Sequence, residues 1–172
     1  MPESFEQRPV VVLIGAPGAG KTRMGKRLAK LLDVPFIDTD KTIVAEHGPI
    51  AALFETHGEP HFRSIERDHV ARALSTGAVV ALGGGAVLDS STRALLQGHR
   101  IVLLTVSAEA VEQRISNDKR PLLKDGIGAW VALAETRRPI YESLATRTFD
   151  TSNRPLDKIA ADIVDWITED SR

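Results

Sequence analysis

Val10-Val11-Val12-Leu13-Ile14-Gly15-Ala16-Pro17-Gly18-Ala19-Gly20-Lys21-Thr22 decides the fold. The first five residues form an apolar, mostly β-branched run that reads as a buried strand. The next eight have the form G-x-x-x-x-G-K-[ST], a loop whose glycines let backbone N–H groups turn around phosphate oxygens. Beyond it Met24, Leu28, Leu31 and Leu32 fall at helical spacing, with Lys26, Arg27 and Lys30 on the other side. A helix starting here points its positive N-terminal end at the same anion. Strand, loop and helix together predict a nucleoside triphosphate site. Gly18, Ala19, Gly20 and Lys21 hold the phosphates, and Thr22 carries a hydroxyl for Mg²⁺.

Outward from this unit, short apolar strands alternate with helical segments. Strands are expected at Val34–Ile37, Ala78–Leu82, Ile101–Leu104 and Arg147–Asp150. Helices are expected at Lys41–Glu46, Ile50–His57, Phe62–Ser75, Ser90–Gln97, Ala108–Ser116, Trp130–Ala145 and Leu156–Thr168. The polar stretch 117–128 reads as a mobile loop. Such alternation predicts an α/β architecture, a parallel sheet with helices on both faces and ligands at the C-terminal strand ends. With 172 residues the chain suits one domain, 1–172, carrying an inserted lid at about 117–128.

Composition narrows the chemistry. The absence of cysteine removes disulfides, thiolate nucleophiles and cysteine-ligated metals. A net charge of −1 gives no global attraction to nucleic acid or anionic lipid, and no basic stripe is interleaved with aromatics. No apolar run approaches the roughly 20 residues of a membrane span, and residues 1–9 lack the apolar core of an export signal. A cytoplasmic domain that binds neither membrane nor nucleic acid is expected.

Further groups suit phosphoryl transfer. Asp38-Thr39-Asp40, where the second strand ends, offers one carboxylate to the metal and one to a bound hydroxyl, although an Asx-capped turn would use the same residues. Arg63 and Glu66 share a helix face, so Glu66 can hold the guanidinium as a fork for a carboxylate, unless the two make only an exposed helical salt bridge. Gly83-Gly84-Gly85 permits close approach of a ligand to the backbone, or makes a plain turn. Basic residues flank Arg120-Pro121-Leu122-Leu123 in the presumed lid, and Arg120 is placed to act as a finger on the transferring phosphate. In Arg137-Arg138-Pro139-Ile140-Tyr141 the proline is expected to bend a helix. His57 and His61 flank Gly58 and Pro60, which interrupt the helix that paired zinc ligation would need. His47, His69 and His99 are expected at the surface.

In this order and spacing the motifs resemble the shikimate kinase family, from about residue 10 to 166. The resemblance implies a three-layer P-loop kinase fold, with a central parallel sheet of about five strands flanked by helices, plus the lid. It also implies Mg²⁺ with ATP and shikimate as substrates, and a monomer is expected. By it, Asp40 binds a ring hydroxyl and is the base for the 3-hydroxyl. Thr22 ligates Mg²⁺ and Asp38 reaches it through water. Arg63 and Arg137 clamp the carboxylate, and Gly83, Gly84 and Gly85 line the ring. Lys21 and Arg120 meet the phosphates, while Arg114 and Arg154 flank the adenine. The family usually has a second hydroxyl residue after the loop lysine. Arg23 stands there, which leaves a backbone contact. A gluconate or nucleoside-monophosphate kinase, and a nucleotide-binding regulator without turnover, are the competing readings.

Overall fold

A computed structural model describes residues 8–118 and 126–171, with side chains 115–118 left aside. Strand β1, Val11–Ile14, is buried on both faces, as its unbroken apolar run requires. It sits at the centre of a five-stranded parallel sheet of order β2-β3-β1-β4-β5. The other strands are β2 (Phe36–Asp38), β3 (Val79–Ala81), β4 (Ile101–Thr105) and β5 (Arg147–Asp150). Eight helices are described: α1 (Lys21–Leu32), α2 (Thr39–His47), α3 (Ile50–His57), α4 (Glu59–Leu74), α5 (Ser90–Leu96), α6 (Ala108–Asp118), α7 (Gly126–Leu144) and α8 (Leu156–Asp170). None is long and apolar enough to cross a membrane.

The period of two along each strand sorts the core into layers. Val11, Leu13, Val79, Ala81, Val102 and Leu104 face α1 and α8, where Met24, Leu28, Ile159 and Ile163 complete one layer. Val12, Ile14, Val80 and Leu103 face the opposite way, onto Val70 and Leu74 of α4, Leu96 of α5 and Tyr141 of α7. Ile43, Leu53 and Phe62 form a smaller cluster that joins α2, α3 and α4 beyond the β2 edge. Three C-terminal strand ends therefore lie side by side: β2 ending in Asp38, β3 leading into Gly83, and β1 leading into the glycine loop.

Among the boundaries that differ from those expected, four bear on the cleft. α2 starts at Thr39 because Asp38 is its N-cap, its carboxylate accepting from Lys41 N at 3.3 Å, so Asp40 stands in the first helical turn. α4 starts at Glu59, since Pro60 is tolerated where helical N–H groups have no partner. α6 runs to Asp118 and α7 starts at Gly126, so both ends of the expected loop are helical and 119–125 lie outside the described residues. Pro139 lies within α7 and leaves the turn before it without one N–H donor.

α1 approaches the sheet edge at Gly25, where an added Cβ would come 2.2 Å from Cε2 of Phe36 in β2. Gly25→Ala is therefore expected to lower stability by about 1–3 kcal/mol, the usual cost of overpacking. Phe36→Leu in the same chain should recover part of that loss. Urea denaturation measures both, and an unchanged midpoint for Gly25→Ala would contradict the packing described.

Candidate active site

The loop after β1 is held from behind. Pro17 O accepts from Trp130 Nε1 at 2.7 Å, Gly18 O from Arg114 Nη1 at 2.8 Å, and Ala19 O from Thr151 Oγ1 at 2.9 Å. A trans peptide points its N–H opposite its carbonyl, so the N–H groups of Gly18 and Gly20 point away from these anchors, while Ala19 N donates to Ala16 O at 3.1 Å. Gly18 and Gly20 adopt φ of 84° and 91°, a region that a side chain would strain. At Gly15 a Cβ would meet the β4 carbonyl Leu104 O at 2.4 Å, which fixes the loop against the sheet. Lys21, the first residue of α1, bends back and donates to Gly15 O at 2.6 Å and Ala16 O at 3.2 Å.

Beside the loop the oxygens gather. Thr22 Oγ1 donates to Asp38 Oδ2 at 2.9 Å, a pair of hard donors suited to a small divalent cation that keeps several waters. This pair fits Mg²⁺. Thr39, fully buried between the two aspartates, turns into the sheet and links Ala81 O to Gly83 N, each at 3.4 Å. Its inward turn leaves Asp38 and Asp40 facing the cleft, where they line one wall with Pro17, Gly18, Lys21 and Gly83.

Across the cleft each of the three successive glycines faces a charged side chain. An added Cβ would lie 2.4 Å from Asp40 Oδ1 at Gly83, 3.3 Å from Arg137 Nη1 at Gly84, and 2.6 Å from Arg63 Nη2 at Gly85. Arg63 is fixed by Glu66 Oε1 at 2.7 Å, and Glu59 Oε1 takes its Nε and Nη2 at 3.4 Å. Its guanidinium also lies over Phe62, 5.2 Å from the ring centre. Glu66 is 1% exposed, so the pair is no solvated surface bridge. Tyr141 OH donates to Gly84 O at 2.6 Å and pins the middle of the glycine turn to α7.

Arg114 and Arg154 reach a second cleft on the outer side of the loop, shared with Gly18, Ala19, Gly20, Arg23 and Leu156. Arg114 also donates to Thr151 O, and Arg154 to Asp162 Oδ2 at 2.6 Å. The structure thus brings together Lys21, Thr22, Asp38, Asp40, Arg63, Gly83, Gly84, Gly85 and Arg137 in one place. It sets Arg114 and Arg154 next door, with Arg23 lining both clefts. Arg120 lies outside the described residues.

Sequence reasoning missed the supports Thr39, Trp130, Tyr141 and Thr151. Each works through contacts across 40 to 130 residues of chain, which no local pattern announces. It also misplaced one histidine. His69 is 4% exposed, because α4 is covered by the sheet on one side and by α2 and α3 on others.

Electrostatics follow from burial. Asp40 is raised above the ordinary carboxylate range by burial and by Asp38, against the pull of Lys21 and Arg63. Burial and Arg137 bring Lys21 down to about 8, against the attraction of Asp40 and Asp38. A triphosphate beside Lys21 favours the ammonium form, so binding near pH 8 should draw in a proton. Calorimetry of MgATP binding in buffers of different ionisation enthalpy should show about half a proton taken up per site at pH 8 and far less at pH 6.5. Lys21→Met should abolish the difference. Equal uptake at both pH values would contradict the assignment.

A sequence profile described as Shikimate kinase matches residues 17–168. A shikimate kinase of Salinispora tropica is 47% identical over 159 residues, covering 90% of this chain and 95% of the relative. One from Corynebacterium efficiens is 42% identical over 167 residues, covering 95% and 99%. Among solved structures, the Acinetobacter baumannii shikimate kinase in complex with shikimate superposes with a TM-score of 0.85 at 34% identity, covering 97% of each chain. The glycine loop, the paired aspartates and the glycine-floored arginine pocket thus sit in a frame shared over 90 to 97% of the chain with these enzymes, and the chain belongs to the shikimate kinase family.

Proposed function

We propose that the chain transfers the γ-phosphoryl group of ATP to the 3-hydroxyl of shikimate, giving shikimate 3-phosphate for aromatic amino-acid biosynthesis. The observation that carries this reading is the convergence of Asp40, Arg137 and Arg63 on three consecutive glycines beside the phosphate loop. A hydroxylated cyclohexene ring can lie on bare backbone there, its carboxylate between Arg63 and Arg137 and a hydroxyl against Asp40. Family membership and the shikimate complex of the Acinetobacter baumannii relative support the same ligand.

Asp40 accepts the proton of the attacking hydroxyl, which its raised pKa suits. Lys21 leaves Gly15 O and Ala16 O to follow the transferring phosphoryl group, while the Gly18 and Gly20 N–H groups hold the phosphates. Thr22, and Asp38 through water, would hold Mg²⁺, which would supply charge neutralisation on the phosphates. Arg114 and Arg154 flank the adenine, and the Arg23 backbone contributes at the loop. Arg120 offsets charge in the transition state. Catalysis consists of positioning and electrostatics, with no covalent intermediate. The protein acts as a cytoplasmic monomer, without membrane or nucleic acid.

An ADP-release assay across shikimate, gluconate, AMP and CMP tests the reading: turnover with shikimate is expected, and turnover only with another acceptor would overturn it. Arg63→Ala should weaken shikimate binding by about 2–5 kcal/mol, with little change for ATP. Asp40→Asn should lower kcat by roughly 10²-fold or more. In the parent enzyme kcat should rise with pH as Asp40 loses its proton. The variant should lack that acid limb, and an unchanged pH profile would remove Asp40 as the base.

A further inference from the structure

Away from the cleft, on the far side of α2, Glu46, His47 and His69 bring three ligand atoms within 4.8 Å of one another. His47 and Glu46 end α2, and His69 lies in the middle of α4. Nothing in the phosphoryl transfer uses them.

The ring of His69 is oriented by its neighbours. Thr42 Oγ1 gives its own proton to Thr39 O at 2.9 Å, so at His69 Nδ1, also 2.9 Å away, it accepts an N–H. That fixes the proton on Nδ1 and leaves Nε2 as the acceptor atom of the ring. The lone pair of Nε2 then points out of the core. Glu46 Oε2 lies 2.9 Å from it, yet Nε2 is buried with no hydrogen-bond partner, because the oxygen sits off the direction of a ring N–H. Two electron-rich atoms thus face one position at short range. His47 Nε2 lies 3.5 Å from the same oxygen, and the two imidazoles stand edge to face with centres 5.5 Å apart.

We propose that Glu46, His47 and His69 form a binding site for one divalent ion of the zinc class, which pins α2 to α4. Ligands of a tetrahedral zinc ion are spaced by about 3.3 Å, a value that the separations of 2.9 and 3.5 Å bracket. His47 is exposed and free to swing its ring into place. An Nδ1–H held by a protein oxygen is the support that ligating histidines ordinarily have. Two imidazoles and one carboxylate select zinc, cobalt, nickel or copper over magnesium, so this site and the oxygen pair Thr22–Asp38 do not share an ion. Arg72 is the opposing charge. It pairs with both oxygens of Glu46 at 3.1 and 3.0 Å, and Asp68 offsets it in turn. The ion would share the carboxylate with Arg72 and therefore bind with moderate affinity. Because α2 carries Asp40 and α4 carries Arg63, the clamp joins the two helices that build the acceptor pocket.

Titration of the chelator-treated full chain with Co²⁺, followed by the visible absorption of tetrahedral cobalt in the presence of millimolar Mg²⁺, tests the site. One equivalent is expected to saturate the band, and Zn²⁺ should displace it. His47→Ala, at the surface and therefore harmless to folding, should weaken binding about tenfold or more, as should Glu46→Gln. His57→Ala/His61→Ala should leave the band unchanged, which excludes the other histidine pair, whose ring centres are 4.5 Å apart. No band, a band that survives His47→Ala at full affinity, or one lost with His57 and His61 would each overturn the proposal.

Discussion

Three consecutive residues without side chains fix the acceptor half of this molecule. At Gly83 and Gly85 the space of a Cβ is taken by Asp40 and Arg63, and at Gly84 a Cβ would be crowded by Pro17 and Arg137. One carboxylate and two guanidiniums from three different helices can approach one point only because the floor beneath them is bare backbone. The turn itself is over-determined: Thr39 reaches Gly83 N, and Tyr141 reaches Gly84 O. Glycine has high conformational entropy in the unfolded chain, so three in a row need such restraints to hold one shape. The same restraints carry the floor's position to β2 and α7.

The donor half obeys a complementary rule. There side chains hold the backbone that is proposed to bind the phosphates. Trp130, Arg114 and Thr151 draw three successive carbonyls outward, which points the Gly18 and Gly20 amide hydrogens away from these anchors. Lys21 rests on two further carbonyls and carries a depressed pKa. Arrival of the triphosphate gives its ammonium a stronger partner than a neutral carbonyl oxygen. Trp130 and Arg114 come from α7 and α6, the helices on either side of residues 119–125. The loop is thus tied to both α6 and α7.

What was legible in the sequence was whatever rests on local pattern. β1, its glycine loop and α1 follow from an apolar run, a spaced motif and a helical period. The three glycines and the Arg63–Glu66 spacing also pointed to their site. Asp38-Thr39-Asp40 left a choice between a metal ligand and a capping turn; the structure shows the cap, made by one oxygen of Asp38, while the other oxygen accepts from Thr22. Helix starts were misread by two to four residues because capping groups and first-turn prolines look like loop. The burial of Glu66 and His69 was hidden by α4, which packs on several sides and so lacks a clean polar face. Supports such as Thr151 and Trp130 were not legible, since their meaning lies in partners more than a hundred residues away.

The convergence on the glycine floor is tested most directly by adding the one carbon it excludes. In Gly85→Ala the new Cβ takes the place of the Arg63 guanidinium, which Glu66 and Glu59 otherwise hold still. Calorimetric titration of this variant with shikimate, and separately with MgATP, reads the two halves independently. The account predicts shikimate binding weakened about tenfold or more, in line with the loss of one oriented charged contact, and MgATP binding unchanged. Shikimate affinity equal to that of the parent chain would contradict it.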